Sequence, residues 1–326
     1  MSLDPNNMRD VIEKTYEQFE ISVTEGKNFQ LNYSGLNKAL VCGMGGSAFP
    51  GDLIYDYLGG EFDIKVNREY SIPSYVTKDT LIIISSYSGN TEETLSLLED
   101  SLNKGLKTVV ITAGGKLLDE ANEKNIPVFK IPGGMQPRAA TGHFFTGMMI
   151  ILEKAGLIKP ESDKFVELAK KLKDLNLETK GHEMAHVVQQ RLAIIYSSNK
   201  FGSIAKIWKI KFNENAKQQA FFYEFPEVNH NELIGWTKLV STPHVFLIKN
   251  KNDHTRVQKR MMITKEILEE KDIPVTEVEM KGETLFEQMF STIMLGDFVS
   301  YHTAILNGVD PYPVPLVEEF KQRLNK

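Results

Sequence analysis

One cysteine, Cys42, is all that 326 residues contain. A lone thiol excludes an intrachain disulfide and fits a reducing compartment, so a cytoplasmic setting is the expectation. No apolar run approaches the roughly 20 residues of a bilayer-spanning helix, and the first residues lack the apolar core of a signal peptide. Basic charge is not in excess either: 38 Lys and Arg stand against 43 Asp and Glu, a formal net charge of −5. That balance argues against a nucleic-acid or anionic-membrane surface, and an anionic ligand would need local donors rather than a broad basic field. What remains is ordinary for a globular chain, with 41% hydrophobic and 25% charged residues, long enough for about two domains.

The most informative stretch that is present runs LIIISSYSGNTEET over residues 81–94. Leu81 to Ile84 read as a buried strand, and TEETLSLLED, with acids in its first turn, reads as a helix. Between them lie Ser85, Ser86, Tyr87, Ser88, Gly89, Asn90 and Thr91. Hydroxyls and glycine between a strand and a helix N-terminus make an anion site, because the orphan N–H groups and the helix dipole favour a phosphate there. A simple N-cap at Ser88 or Thr91 needs only one hydroxyl; the turn supplies more than that.

Around this stretch, apolar strands alternate with helices. KALVCGMGGSAFPGDLIYDYL reads as strand, glycine turn and helix; FDIKVNREY, KTVVITAGG and IPVFKIP read as further strands; GHFFTGMMIILEKAGL reads as a long apolar helix. Residues 8–26 show helical spacing of Val11, Ile12, Tyr16, Phe19 and Val23, and the polar stretch 158–180 reads as a linker plus a solvated helix. A second cycle follows, in which RLAIIYSSNKFGSIAKIWKIKF places Gly202 and Ser203 where Gly46 and Ser47 stood. HVFLIKNKNDHTRVQKRMMITKEILEEK then replaces the serine-rich turn with Lys249, Asn250, Lys251, Asn252 and Asp253. The pattern predicts two related α/β domains, 1–157 and 158–326, each a mostly parallel sheet flanked by helices in a flavodoxin-like sandwich.

Two motifs point elsewhere. Gly43-Met44-Gly45-Gly46-Ser47-Ala48 fits the dinucleotide fingerprint, with Glu69 near the place of a ribose-binding acid. A dinucleotide site does not call for the second, serine-rich turn, whereas the two turns together suit one phosphate monoester. His182-Glu183-Met184-Ala185-His186 matches H-E-x-x-H, which on a helix puts both imidazoles on one face, as zinc requires. The match follows a polar helix, precedes a strand and has no identifiable third ligand in sequence, so a solvated helix face accounts for it better.

GMGGSAF, SYSGNTEET, Pro137-Arg138-Ala139-Ala140, Asn213-Glu214-Asn215-Ala216-Lys217 and Pro226-Glu227-Val228-Asn229-His230-Asn231-Glu232 together resemble the bifunctional phosphoglucose/phosphomannose isomerases, tandem sugar isomerase (SIS) domain proteins. The resemblance runs along almost the whole chain in the same order. It implies a metal-independent aldose–ketose isomerase, without a cofactor, that interconverts glucose 6-phosphate and fructose 6-phosphate and extends to mannose 6-phosphate, through a cis-enediol. It also implies the roles. Glu214 would be the base that moves the proton, where a helix acid in a first turn is the plainer reading. His230, with Glu227 or Glu232 able to orient its ring, would open the sugar ring and be supplied across the interface of a homodimer. Arg138 would face the enediolate, and Lys321 would assist ring opening. Gly46, Ser47, Ser86, Ser88 and Thr91 would hold the phosphate. One active site per subunit is expected in the crevice at the strand ends, with no nucleic acid or membrane as partner. A non-catalytic sugar-phosphate-sensing SIS protein is the rival expectation.

Overall fold

The structure is a computed structural model that describes residues 2–324. The chain divides into two compact units: a first of Glu13–Asp174, and a second made of the residues up to Ile12 together with those from Leu175 onward.

In chain order, α1 (Met8–Glu13) and α2 (Glu17–Asn28) are followed by β1 (Lys38–Gly43), α3 (Gly45–Leu58), β2 (Ile64–Asn67), β3 (Thr80–Ser86) and α4 (Glu92–Asn103). Next come β4 (Lys107–Thr112), α5 (Gly115–Glu123), β5 (Val128–Lys130), α6 (Thr141–Lys154) and α7 (Ser162–Lys173). The five strands of the first unit form one parallel sheet in the order β2-β1-β3-β4-β5. β3 is buried along its whole length, as its run of β-branched residues requires when strands flank it on both sides and helices cover it. Each of Ile82, Ile83 and Ile84, fully enclosed, contributes about 1.5–3 kcal/mol through burial. Register places Gly43 beside Ser85, and Ser86 beside Thr112. The carboxyl ends of β1 and β3 therefore meet where the strand order reverses, the place where open α/β sheets bind ligands.

The second unit repeats the plan. α8 (Glu178–Val188) leads into β6 (Leu192–Ser198), α9 (Gly202–Glu214), β7 (Ala220–Phe225), β8 (Pro243–Lys249), α10 (Thr255–Glu269), β9 (Val275–Glu279), α11 (Leu285–Leu306) and α12 (Pro315–Leu324). Its parallel sheet runs β7-β6-β8-β9, the same order less one strand. α11 is buried almost all round from Phe286 to Tyr301, the mark of a helix inside a core rather than on its surface. It packs closely on α9, where Trp208 Nε1 donates to the Thr292 carbonyl at 2.9 Å and a Cβ on Gly296 would lie 2.5 Å from that nitrogen.

Three expectations need correction. The single helix over 8–26 is broken by a 3₁₀ turn at Lys14–Tyr16. Its first part belongs to the second unit, where Met8 and Ile12 are buried and Arg9 grips Glu178 through Nε and NH2 at 2.8 and 2.6 Å. Its second part buries Gln18, Phe19, Ser22 and Gly26 rather than a purely apolar stripe. Residues 162–173 are not a solvated linker helix: Phe165, Leu168, Ala169 and Leu172 of α7 are buried within the first unit, each large side chain again contributing about 1.5–3 kcal/mol. The division between units accordingly falls at 174/175 rather than 157/158.

Candidate active site

In the first unit, the turn after β1 and the turn after β3 are stitched together. The Ser85 hydroxyl donates to the Ser47 carbonyl at 2.6 Å, and the Tyr87 N–H donates to Ser47 Oγ at 3.0 Å. Ser47 Oγ thus accepts from the protein and keeps its own proton for a ligand. Gly46 sits in the first turn of α3, where its own N–H has no acceptor within the helix. A Cβ there would lie 2.6 Å from the Arg138 nitrogen and the Pro137 carbonyl carbon, so glycine is what lets the 137–139 turn approach the α3 N-terminus.

The 86–91 turn is built in the same way. Ser86 Oγ accepts from the Gly89 N–H at 3.1 Å and lies 3.0 Å from Thr91 Oγ1. Thr91 occupies the N-cap position of α4 without making a side-chain cap, so its hydroxyl is directed to Ser86 while the first amides of α4 stay open to an anion. Ser88 is exposed and its Oγ accepts from the Asn90 N–H at 3.2 Å. The turn is anchored from below: the Leu117 N–H donates to the Gly89 carbonyl at 2.9 Å and the Lys116 N–H to Asn90 Oδ1 at 3.1 Å. Gly89 has φ +65, and a Cβ on it would fall 1.7 Å from the Gly114 carbonyl oxygen. Only glycine fits there.

Arg138, 1% exposed, lies in the 3₁₀ turn Pro137–Ala139, with NH1 3.3 Å from Gln136 Oε1. Gln18 holds this segment from α2: its Nε2 donates to the Ala139 carbonyl at 2.8 Å and its Oε1 accepts from the Gly142 N–H at 3.0 Å. Beside it, His143 bonds Ser22 Oγ through Nδ1 at 2.9 Å, and burial pushes its pKa down to about 4. The first unit therefore brings Gly46, Ser47, Ser86, Thr91 and the Arg138 backbone into one neighbourhood at the strand ends, with two helix N-termini as its positive elements. Gln18 and Ser22 were missed from sequence; their signal is two polar residues on the buried side of an otherwise amphipathic helix.

Glu214 ends α9, where the helix dipole disfavours a carboxylate; it is not the first-turn acid of the plainer reading. It is half-buried in a turn with little freedom. Asn213 Nδ2 donates to the Gln218 carbonyl at 2.9 Å, Asn215 Nδ2 to Ser300 Oγ at 2.9 Å, and Lys217 Nζ to the Glu214 carbonyl at 2.8 Å. Gln218 in turn donates to the Arg191 carbonyl at 2.6 Å. One turn earlier, buried Lys211 pairs with Asp297 at 2.5 Å.

His230 is exposed, and its ring has no hydrogen-bond partner among the described residues. Neither neighbouring acid orients it, contrary to expectation. Glu227 Oε1 accepts from Asn231 Nδ2 at 2.8 Å, and Glu232 Oε1 accepts from the Tyr196 hydroxyl at 2.6 Å. Burial, with Glu232 adding to it, drives the Tyr196 pKa far up. Lys321 is exposed on α12 and pairs with Glu318 at 2.9 Å. No residue of α12 is buried, and Leu316, Val317, Phe320 and Leu324 stand in solvent.

The H-E-x-x-H pair lies on α8 as expected, with the His182 and His186 rings 4.7 Å apart and His302 of α11 5.0 Å from His182. Among the described residues no three His, Cys, Asp or Glu side chains are arranged to hold a metal ion. No helix there is long and apolar enough to cross a membrane.

Comparison with known proteins completes the description. Residues 177–324 match the family described as the bacterial phospho-glucose isomerase C-terminal SIS domain. Over 98% of the chain, and 97% of the relative, 36% of residues are identical to a bifunctional phosphoglucose/phosphomannose isomerase of Caldicellulosiruptor bescii. An Aquifex aeolicus protein of the same name is 34% identical over 97% of this chain and 98% of its own. Among solved structures, tagatose-6-phosphate ketose/aldose isomerase from Escherichia coli superposes with a TM-score of 0.73 at 19% identity, covering 93% of this chain and 94% of that one; this supports the fold. With both halves of the chain matched end to end, and with the phosphate-type turn standing at the strand-order reversal, the chain belongs to the bifunctional phosphoglucose/phosphomannose isomerase family.

Proposed function

We propose that the protein interconverts glucose 6-phosphate and fructose 6-phosphate, and mannose 6-phosphate and fructose 6-phosphate, by proton transfer between C1 and C2 through a cis-enediol. The observation that carries this reading is end-to-end identity of about a third to proteins of that name. The chemistry of the residues fits it. Ser47, Ser86, Ser88, Thr91 and the Gly46 amide grip the phosphate, which does not react, and so orient the carbons that do. Glu214 takes the proton from C2 of the open-chain aldose and returns it to C1, while Arg138 balances the negative charge of the enediolate. His230 and Lys321 assist ring opening. The exposure of the His230 ring and the uncovered apolar face of α12 suit a homodimer in which His230 serves the neighbouring subunit's site. No step in this scheme calls for a metal, and EDTA is expected to leave turnover unchanged.

Glu214→Gln tests the proton transfer. Loss of the base should lower kcat on the order of 10²–10⁴-fold in a coupled assay with fructose 6-phosphate, while calorimetry still detects sugar-phosphate binding. Retained turnover in Glu214→Gln removes Glu214 from the role, and a wild-type protein that binds but never turns over makes it the sensor. Mixing inactive Glu214→Gln with inactive His230→Ala tests the shared site, because a mixed dimer contains one intact pair. Recovery of activity is expected; its absence, with subunit exchange shown by mass, rejects cross-supply of His230.

A further inference from the structure

The second unit contains a cavity of about 670 Å³, within the range of roughly 300–1,000 Å³ typical of small-molecule sites. It lies at the carboxyl ends of parallel strands: Lys249 is the last residue of β8 and Glu279 the last of β9, and both line it. Five lysines converge on it: Lys180 from α8, Lys249 and Lys251 around the β8–α10 turn, Lys259 from α10, and Lys281 after β9.

Among the described residues the charge there is only partly neutralised. Lys249 pairs with Glu277, which Lys265 also approaches, and these contacts hold the Glu277 carboxyl below its usual range. Lys180, Lys251, Lys259 and Lys281 make no ion pair among the described residues, and the one remaining acid of the wall is Glu279. Four ammonium groups from four segments against one carboxylate are a large local imbalance in a chain whose net charge is −5.

The turn that carries two of these lysines is rigid. Asn250, 2% exposed, donates from Nδ2 to Gln288 Oε1 at 2.8 Å and accepts the Asn252 N–H on Oδ1 at 2.8 Å. Its own N–H donates to Asp253 Oδ2 at 3.2 Å, and the other Asp253 oxygen accepts from Ser198 Oγ at 2.6 Å. Gln258 Nε2 spans the Lys251 and Asp253 carbonyls at 3.1 and 2.7 Å. A surface turn that only solubilises needs no such buried scaffold.

We propose that this cavity is a second anion site, separate from the serine turns, that binds a linear chain of phosphoryl groups. One phosphate would satisfy two of the ammonium groups; four, arriving from different sides, suit a triphosphate. Lysine serves phosphate as a point charge with rotatable donors, and Met261 and Met262 offer an apolar wall to an organic body. A nucleoside triphosphate and an inorganic polyphosphate share this chemistry.

The test is calorimetric titration of the full-length protein, saturated with fructose 6-phosphate, using ATP, inorganic tripolyphosphate and orthophosphate. Saturable binding of tripolyphosphate and ATP is expected, at least roughly tenfold tighter than orthophosphate, and weakened by added salt. Tighter binding of ATP assigns the nucleotide; equal affinity assigns the inorganic chain. The exposed double variant Lys251→Glu/Lys259→Glu should weaken binding by roughly tenfold or more, with unchanged melting temperature and basal turnover. Lys281→Glu is the second variant should the first unfold. Binding that is unsaturable, that survives these substitutions, or that disappears in Ser86→Ala overturns the proposal; the last outcome would place the phosphates in the substrate turn and leave the isomerase reading intact.

Discussion

Gly46→Ala is the sharpest probe of the candidate site, with Gly45→Ala as its control. At Gly46 the added Cβ would sit 2.6 Å from the Arg138 nitrogen and the Pro137 carbonyl carbon, and 2.7 Å from the Pro137 oxygen. All three are backbone atoms, so no side chain can swing aside; the 137–139 turn must move. Overpacking of this kind costs about 1–3 kcal/mol. At Gly45 the added Cβ meets nothing within 4 Å, but φ is +47, so the cost is left-handed strain of about 1–2 kcal/mol. The two variants should therefore lose similar stability in urea unfolding and differ in catalysis. Displacing Arg138 and the α3 N-terminus by even about 1 Å can cost on the order of 10²-fold in rate, so kcat/KM for fructose 6-phosphate in the coupled assay should fall at least roughly tenfold in Gly46→Ala and much less in Gly45→Ala. Equal losses in the two, or activity within about twofold of wild type at Gly46→Ala, would show that the contact between α3 and the 137–139 turn does not position the site.

Acid should destabilise the fold through two buried imidazoles. Burial holds the pKa of His143, and burial with help from Arg191 that of His244, down to about 4. The unfolded chain thus binds protons that the folded one refuses. Stability is complete above about pH 6.5 and is lost as pH falls toward 4, by about 2 kcal/mol for each histidine at pH 5. His143→Gln should remove one share of the difference between urea midpoints at pH 7.5 and pH 5, and an undiminished difference would refute its part. Lys211→Met should cost about 3–5 kcal/mol by taking the paired cation from buried Asp297, and adding Asp297→Leu should recover most of it; a single variant as stable as the double rejects the pairing. Cys42 is fully buried, and burial raises its thiol pKa far above the usual range despite a bond from Asn67. Its thiol should ignore a disulfide reagent until urea unfolds the chain, and prompt labelling of the native protein would count against the packing of β1.

The strands and the serine turn were legible because their signals are local. Leu81–Ile84 can be little other than a buried strand, and the hydroxyl-rich turn declares its donors whatever surrounds it. Residues 162–173 misled because Lys and Glu dominate the composition, whereas Phe165, Leu168, Ala169 and Leu172 already fall on one helical face; spacing outweighs average polarity. The place of Glu214 at the end of its helix was not legible, because the signals that fix that end lie in Asn213, Asn215 and Gln218, whose partners are 5 to 85 residues away. For the same reason Glu232 gave no hint in sequence of its bond to Tyr196, 36 residues earlier. Pairings across such separations depend on topology, which the chain reveals only once folded.

The placement of the N-terminal dozen residues with the second unit makes that unit discontinuous: the first unit is an insertion within it. A ribosome emits the first unit as one unbroken piece that can close on itself, while Arg9 waits for Glu178, 169 residues further along the chain. Cutting the protein at 174/175 should therefore yield a self-sufficient leading fragment and a trailing one that lacks its first twelve residues and holds a Glu178 deprived of Arg9. Adding back a short peptide with the sequence of residues 2–13 would be the natural remedy.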